Sequence, residues 1–158
     1  MNSVYAGGIV PYVKNGNEPV FLLGQEKYNK KWCGFIGKYE QSDGNIVNTA
    51  LREFNEETAK VFENYLDFIH TKIITGDCTL FVDNNAGKLI YIWFIKFPLE
   101  MTTTNIENKF LNNLSLMTDT HYQEKSSIKW FSLQEIKLNK NEILYKLKKT
   151  IMKIKSFK

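Results

Sequence analysis

A single α/β domain is expected from three features of the chain. Its 158 residues fall within the size of one domain with one core. Short runs rich in Val, Ile, Phe and Tyr, bounded by Gly, Asn and Asp, recur along it as strands do. One segment between them, about Ile46 to Val61, carries apolar or small residues at three- and four-residue spacing, as a helix does. With 43% hydrophobic and 24% charged residues and 3 Pro, the composition excludes a disordered or collagen-like chain. The longest apolar run, Leu89 to Phe97, is far short of the roughly 20 residues of a membrane-spanning helix, so no membrane partner is expected.

Taken in order, residues 3–13 run as a strand into the turn formers Asn15-Gly16-Asn17, and Val20 to Leu23 forms a second strand before Gly24. A Lys-rich loop around Tyr28 to Lys31 leads to a short strand, Trp32 to Ile36. The turn-like stretch Gln41 to Asn45 precedes the helix, with Asp43 and Asn45 as its caps; Val47, Ala50, Leu51, Phe54, Thr58 and Val61 form the buried stripe. His70 to Ile74 and Cys78 to Val82 read as strands. A turn at residues 83–87 then leads into Leu89 to Phe97, apolar on both faces and therefore central. Residues 98–127 lack a period and read as a long loop with a short helix near Phe110. Ile128 to Phe131 is the last strand, and Ser132 caps a turn of helix through Ile136. Ile143, Leu144, Leu147, Ile151 and Ile154 then stripe a basic C-terminal helix within 137–158, and the whole of 1–158 is one domain.

The net charge of +4 is unevenly spread. Residues 137–158 hold eight Lys against Glu142 alone, which leaves a mildly acidic body. Arg52 is the only Arg in the chain. The preference for Lys, Asn and Ile fits A- and T-rich coding, as in a virus, a parasite or a low-GC bacterium. The first residues read as neither a secretory signal nor a transit peptide, so a cytoplasmic location is expected, the host's cytoplasm for a viral chain. Cys33 and Cys78 are too few for a disulfide framework or a thiolate metal site.

Chemistry concentrates on the helix. At about 100° per residue, with Val47 at zero, the apolar residues stay within about 60° of it, while Glu56, Glu53 and Glu57 fall near 180°, 240° and 280°. Three carboxylates on one flank repel each other unless a cation neutralises them, and all-oxygen ligation suits Mg²⁺ or Mn²⁺. Arg52, four residues before Glu56, is placed to pair with it. A solvated acidic helix face is the alternative that this pattern alone leaves open.

The preceding loop narrows that choice. The run from Gly37 to Thr58, with Gly37, Lys38, Glu40, Arg52, Glu53, Phe54, Glu56 and Glu57 in matching order, resembles the Nudix box. Asp43 stands where that family has Glu, the stretch from there to Arg52 is one residue longer, and Ala59 replaces the closing Gly. Losing that Gly removes the usual left-handed stop, so the helix is expected to run on. Ala6 to Val10, Leu22-Leu23-Gly24, Trp32 and Ile128 to Ile136 follow the family's usual order.

The resemblance implies an α/β/α sandwich with a mixed central sheet. It also implies a Mg²⁺-dependent (or Mn²⁺-dependent) hydrolase of a pyrophosphate bond in a nucleoside diphosphate linked to another moiety. By the same resemblance Glu56 and Glu57 are metal ligands, Glu53 is a ligand or the water-orienting base, and Arg52 holds the carboxylates. A further carboxylate from a late loop is expected to complete the metal set, with Glu124 ahead of Asp119 and Glu100. Gly37 and Lys38 would serve the phosphates, and Trp32, Tyr39 or Tyr28 would stack on a base. His121 and His70 have no paired ligand and read as surface residues; Trp93 and Trp130 read as core. The partner expected is a nucleotide-type small molecule or capped RNA, the latter gripped by the Lys-rich C-terminal helix. A Nudix fold that binds nucleotide or RNA without turnover is the alternative function.

Overall fold

The strand β1 (Ser3–Asn15) organises the molecule. The computed structural model describes residues 1–139, 142–154 and 156–157. Besides β1, these form β2 (Glu18–Glu26), β3 (Trp32–Cys33), β4 (Phe35–Lys38), β5 (Thr79–Asn85), β6 (Lys88–Lys96) and β7 (Lys125–Ser132). The helices are α1 (Ile46–Glu57), α2 (Leu66–Thr75), α3 (Ile106–Ser115), α4 (Leu133–Leu138) and α5 (Tyr145–Lys153).

β1 pairs in parallel with β6 and antiparallel with both β2 and β4, which makes the sheet mixed. β5 closes one side against β6, and β7 pairs with β2. Alternation along the strands sorts side chains to two faces. Ile9, Val13, Leu22, Trp93, Ile95 and Ile128 join Ala50 and Phe54 of α1, Ile69 of α2 and Phe110 of α3 in one apolar layer. Val10, Tyr12, Phe21, Leu23, Ile92, Phe94 and Phe131 join Ile136, Leu147 and Ile151 of α4 and α5 in the other. The architecture is thus the expected α/β/α sandwich, with β6 an interior strand that buries both faces. Phe54 anchors α1: fully buried, it meets Phe35 edge-on and stacks on Phe62, each at 5.4 Å. Truncating such a ring to Ala costs about 3–5 kcal/mol.

Four expectations about elements are corrected. The segment His70 to Ile74 is helical, part of α2, because Leu66, Ile69 and Ile73 repeat at helical spacing toward the core and Gly76 provides a left-handed stop. Helix α1 ends at Glu57, well short of Val61. Ala59 and Lys60 take the left-handed conformation themselves (φ 50° and 59°), and the Ala59 carbonyl accepts a bond from Asn113 Nδ2 of α3 at 2.9 Å. The stretch 98–127 holds the helix expected near Phe110, as α3, but is otherwise less irregular than expected, with short 3₁₀ turns at Leu99–Thr102 and Thr120–Tyr122 and with β7 already begun at Lys125. The basic C-terminal helix is shorter than 137–158. Trp32 of β3 exchanges backbone hydrogen bonds with the segment before α5, donating to Glu142 and accepting from Leu144, so the chain there is extended and the helix starts at Tyr145. Of its eight Lys, Lys140, Lys155 and Lys158 lie outside the described residues.

Candidate active site

Helix α1 presents its carboxylates to the end of β4. Asn45 caps the helix, its side chain accepting from the Asn48 N–H at 2.9 Å. Contact between helix and sheet is close where side chains are missing. A Cβ on Gly37 would sit 1.9 Å from Glu53 Cδ and 2.2 Å from both of its oxygens, so the Glu53 carboxylate lies directly on the β4 backbone. On the neighbouring strand, opposite Gly37, a Cβ on Gly7 would meet Ile46 at 2.9 Å. Two glycines therefore set the seat of the helix, and Gly37 acts on Glu53.

Arg52 ties the cluster to the preceding loop. Its Nε and Nη2 fork onto Asp43 at 2.8 and 3.0 Å, Nη1 donates to Glu53 at 2.8 Å and to Glu56 at 3.4 Å, and Nη2 also reaches the Lys38 carbonyl at 3.1 Å. Asp43 does not cap α1. It accepts from Arg52, from the Thr49 hydroxyl at 2.8 Å and from the Glu40 N–H at 3.0 Å. Hydrogen bonding to Arg52 pulls the Asp43 carboxyl down to about 2, and the same bond raises the already basic guanidinium. The longer loop thus still delivers an acid to Arg52, through a planar fork that Lys would not reproduce.

Beyond that clamp, oxygens of Glu53, Glu57 and Glu124 lie within 4.8 Å of one another. Glu53 and Glu57 are buried, whereas Glu124, just before β7, is exposed and opens the group to solvent. Burial raises the Glu53 carboxyl against the pull of Arg52, and burial raises that of Glu57 well above the ordinary range against the pull of Lys125. Glu57 Oε2 is buried with no hydrogen-bond partner. An orphaned carboxylate oxygen among three converging acids is what a hard divalent cation would satisfy, so these residues fit Mg²⁺ or Mn²⁺.

The remaining expected residues divide. Glu56 is outside this trio; it is half-buried, its carboxyl raised by desolvation and lowered by Arg52 and by His121. The turn Thr120–Tyr122 brings His121 toward Glu56, its Nδ1 2.8 Å from Asp119. Asp119 and Glu100 do not join the trio. Lys38 is exposed, its ammonium 5.9 Å from the centre of the Tyr5 ring, and Tyr39 is half-buried with its N–H on the Tyr5 carbonyl. Trp32 packs edge-on against Phe131 at 4.9 Å in the layer under α5, which accounts for its ring as packing. Tyr28 is exposed. Trp93 is core, and Trp130 is partly buried against the α1 layer.

One charged group escaped sequence reading. Lys125 is 1% exposed, and its ammonium lies 2.8 Å from Glu26, 2.9 Å from Cys33 Sγ, 3.4 Å from the Gly34 carbonyl and 3.7 Å from Glu57. Burial pushes the Cys33 thiol up to about 12, so it stays protonated beside that ammonium. The only signal in the sequence is a Lys beside the candidate ligand Glu124, which reads equally well as exposed.

Comparison with known proteins places this geometry. A family model described as NUDIX domain matches residues 4–151. No curated protein matches the sequence. Among solved structures, a C. elegans Ap4A hydrolase binary complex aligns with TM-score 0.52 and 18% identity, over 95% of this chain and 93% of that one. A NUDIX-family hydrolase from Clostridium perfringens gives TM-score 0.53 and 15% identity over 96% and 95%. The NUDIX domain of Shewanella oneidensis NrtR, complexed with ADP ribose, gives 0.51 and 12% over 96% and 86%. With nearly its whole length inside the family model and its box folded as a helix with a carboxylate flank, the chain belongs to the Nudix family of pyrophosphohydrolases.

Proposed function

We propose that the protein hydrolyses a pyrophosphate bond in a nucleotide derivative, with Mg²⁺ or Mn²⁺ held by Glu53, Glu57 and Glu124. The observation that carries this reading is the trio of carboxylates with oxygens within 4.8 Å of one another, among them Glu57, which has a buried oxygen that makes no hydrogen bond. When bound, the ion would neutralise the pyrophosphate and acidify a water. Arg52 holds Glu53 and Glu56 from one side, fixed in turn by Asp43, so neither acid needs to reorganise when substrate arrives. Glu56, outside the ligand trio and half-buried, is assigned to orient the attacking water and take its proton. Lys38 is assigned to the distal phosphates.

The moiety beyond the phosphates is assigned to an apolar cavity of about 200 Å³ between the sheet and α5. Cys33, Ile36, Ile90, Ile92 and Leu147 line it, and Glu26 connects its wall to Lys125 and so to the rear of Glu57. Its lining suits a flat base better than a charged sugar. Lys146 stands at this cavity, and Lys149 and Lys153 follow along α5, which favours capped RNA as one substrate to test beside dinucleoside polyphosphates and ADP-ribose.

Wild type and Glu57→Gln are incubated with these three substrates and with nucleoside triphosphates, with and without Mg²⁺, and products are identified by mass. Cleavage that needs Mg²⁺ and is lost in the variant is the expected result. Ligand binding with no cleavage by the folded wild type contradicts it and leaves a binding module.

A further inference from the structure

Two ammonium groups gather on one tyrosine ring beside the site. Lys38 of β4 lies opposite Ala6, and so does Ile90 of β6 on the other side of β1. Opposite residues share a face of a sheet, as do residues two apart along a strand. Lys38, Ile36, Ile90, Ile92 and Lys88 therefore share one face, and the three isoleucines line the apolar cavity. Between the lysines, the register of β1 against β6 shifts from Val4 to Ala6, which makes Tyr5 the extra residue of a bulge. Bulges re-aim side chains. Here the half-buried Tyr5 ring has the Lys88 ammonium 4.8 Å and the Lys38 ammonium 5.9 Å from its centre. A ring face attracts a cation, but two like charges beside one ring repel each other. Among the described residues no carboxylate forms an ion pair with either lysine. Such a pair is best stabilised by an anion with several oxygens. Lys38 also borders the acids: it follows Gly37, which seats Glu53, and its carbonyl accepts from Arg52.

We propose that Lys38 and Lys88, held by Tyr5, form a phosphate clamp bordering both the acid cluster and the apolar cavity, and that it selects substrates with three or more consecutive phosphates. The proposal rests on the pyrophosphate reading above. The two phosphoryl groups of the bond that is cut belong to the acid cluster, so a chain of two leaves little for the lysines. A third or fourth phosphate brings further oxygens to them. Each lysine offers a point charge with three donors, which suits a flexible chain of phosphates. Of the substrates named above, dinucleoside polyphosphates and capped RNA have that length, and ADP-ribose does not. Lys88 thus determines specificity by touching the chain, and Tyr5 is a positioning residue that acts through both lysines.

The test compares kcat and KM for a dinucleoside tetraphosphate and for ADP-ribose, with Mg²⁺, in wild type, Lys88→Gln, Lys88→Arg and Tyr5→Leu. Wild type is expected to favour the tetraphosphate. Lys88→Gln cuts the ratio of the two kcat/KM values by on the order of tenfold, through KM rather than kcat. Lys88→Arg keeps most of the ratio because it keeps the charge. Tyr5→Leu lowers it although no charge is removed, as expected of a ring that positions the lysines. Lys88 is exposed, so its variants are expected to fold as wild type does and carry the test by themselves. A wild type that favours ADP-ribose, an unchanged ratio in Lys88→Gln, or an equal fall in Lys88→Arg overturns the inference. Calorimetric titration with inorganic tripolyphosphate and pyrophosphate reads the clamp without turnover. If wild type cleaves neither nucleotide yet binds tripolyphosphate more tightly, a preference lost in Lys88→Gln, the hydrolase reading falls and the clamp stands as a binding site. Hydrolysis beside equal binding of the two anions overturns the clamp alone, and equal binding without hydrolysis overturns both.

Discussion

Two helices of this protein carry dense charge of a single sign on one flank, and they use it differently. On α1, Glu53, Glu56 and Glu57 turn toward the sheet, where another element receives each of them: Gly37 of β4 beneath Glu53, Asp43 through Arg52, Lys125 of β7 behind Glu57. On α5, Leu147 and Ile151 are buried, while Lys146, Lys149 and Lys153 are exposed, and Lys148 reaches the Lys137 carbonyl at 3.1 Å. The difference teaches that charge density does not mark a reactive site. Desolvation and tethering from other elements do, because they raise proton affinities and fix geometry before a ligand arrives.

The contrast is broken most forcefully at the ligands. Glu57→Gln is expected to lower kcat by about a hundredfold to a thousandfold with little change in fold, since a preorganised charged group is removed from the reacting centre. Steady-state kinetics beside circular dichroism checks this, and near-normal turnover would break the assignment. Gly37→Ala comes next. Its new methyl collides with the Glu53 carboxylate, so a loss of about 1–3 kcal/mol in stability is expected with a fall in kcat, read from urea unfolding and kinetics.

Asp43→Asn is expected to cost about 2 kcal/mol by weakening the fork on Arg52, and it also sharpens a difference in pH response. The Asp43 carboxyl is held near 2 in the fold, below its ordinary 3.8, so its contribution to stability is present above about pH 4 and lost as the pH falls toward 2. Glu57 has the opposite sign. Its raised proton affinity favours the metal-free fold at low pH, and that contribution fades as the pH rises above 4.5. Acid titration of stability, followed by tryptophan fluorescence, is therefore expected to flatten between about pH 4 and 2 in Asp43→Asn alone.

The smallest effect belongs to α5. Lys149→Gln with Lys153→Gln is expected to change stability by no more than about 0.5 kcal/mol and to leave hydrolysis of a small dinucleotide unchanged. If capped RNA is a substrate, the same pair reduces the salt dependence of its KM. A large loss toward the dinucleotide would show that the outer lysines of α5 act in the site as well.

Much of α1 was legible because its chemistry and its period coincide: the stripe through Phe54 fixes the buried face, and the acids fall on one flank. Glu124 was legible as the acid just ahead of the last strand. Lys125 was not, since a Lys in a strand ordinarily reads as exposed and only the Gly24 gap and the Glu26 partner bury it. Trp32 shows the same limit. An aromatic beside the box stacks or packs according to the sheet face it takes, and here Phe131 claims it. Helix α2 was misread because local β-branched composition at Ile73 and Ile74 outweighed the longer period through Leu66 and Ile69. At Ala59, tertiary bonding from Asn113 supplies the helix stop that the residue type does not suggest.

The most direct test of the central claim, that buried and tethered carboxylates rather than exposed charge make this site, is calorimetric titration of Mn²⁺ into wild type, Glu57→Gln and Glu63→Gln at neutral pH. Glu63 lies in an exposed turn after α1 and serves as the control. The account predicts Mn²⁺ binding that Glu57→Gln abolishes and Glu63→Gln leaves intact; equal binding by all three proteins would contradict it.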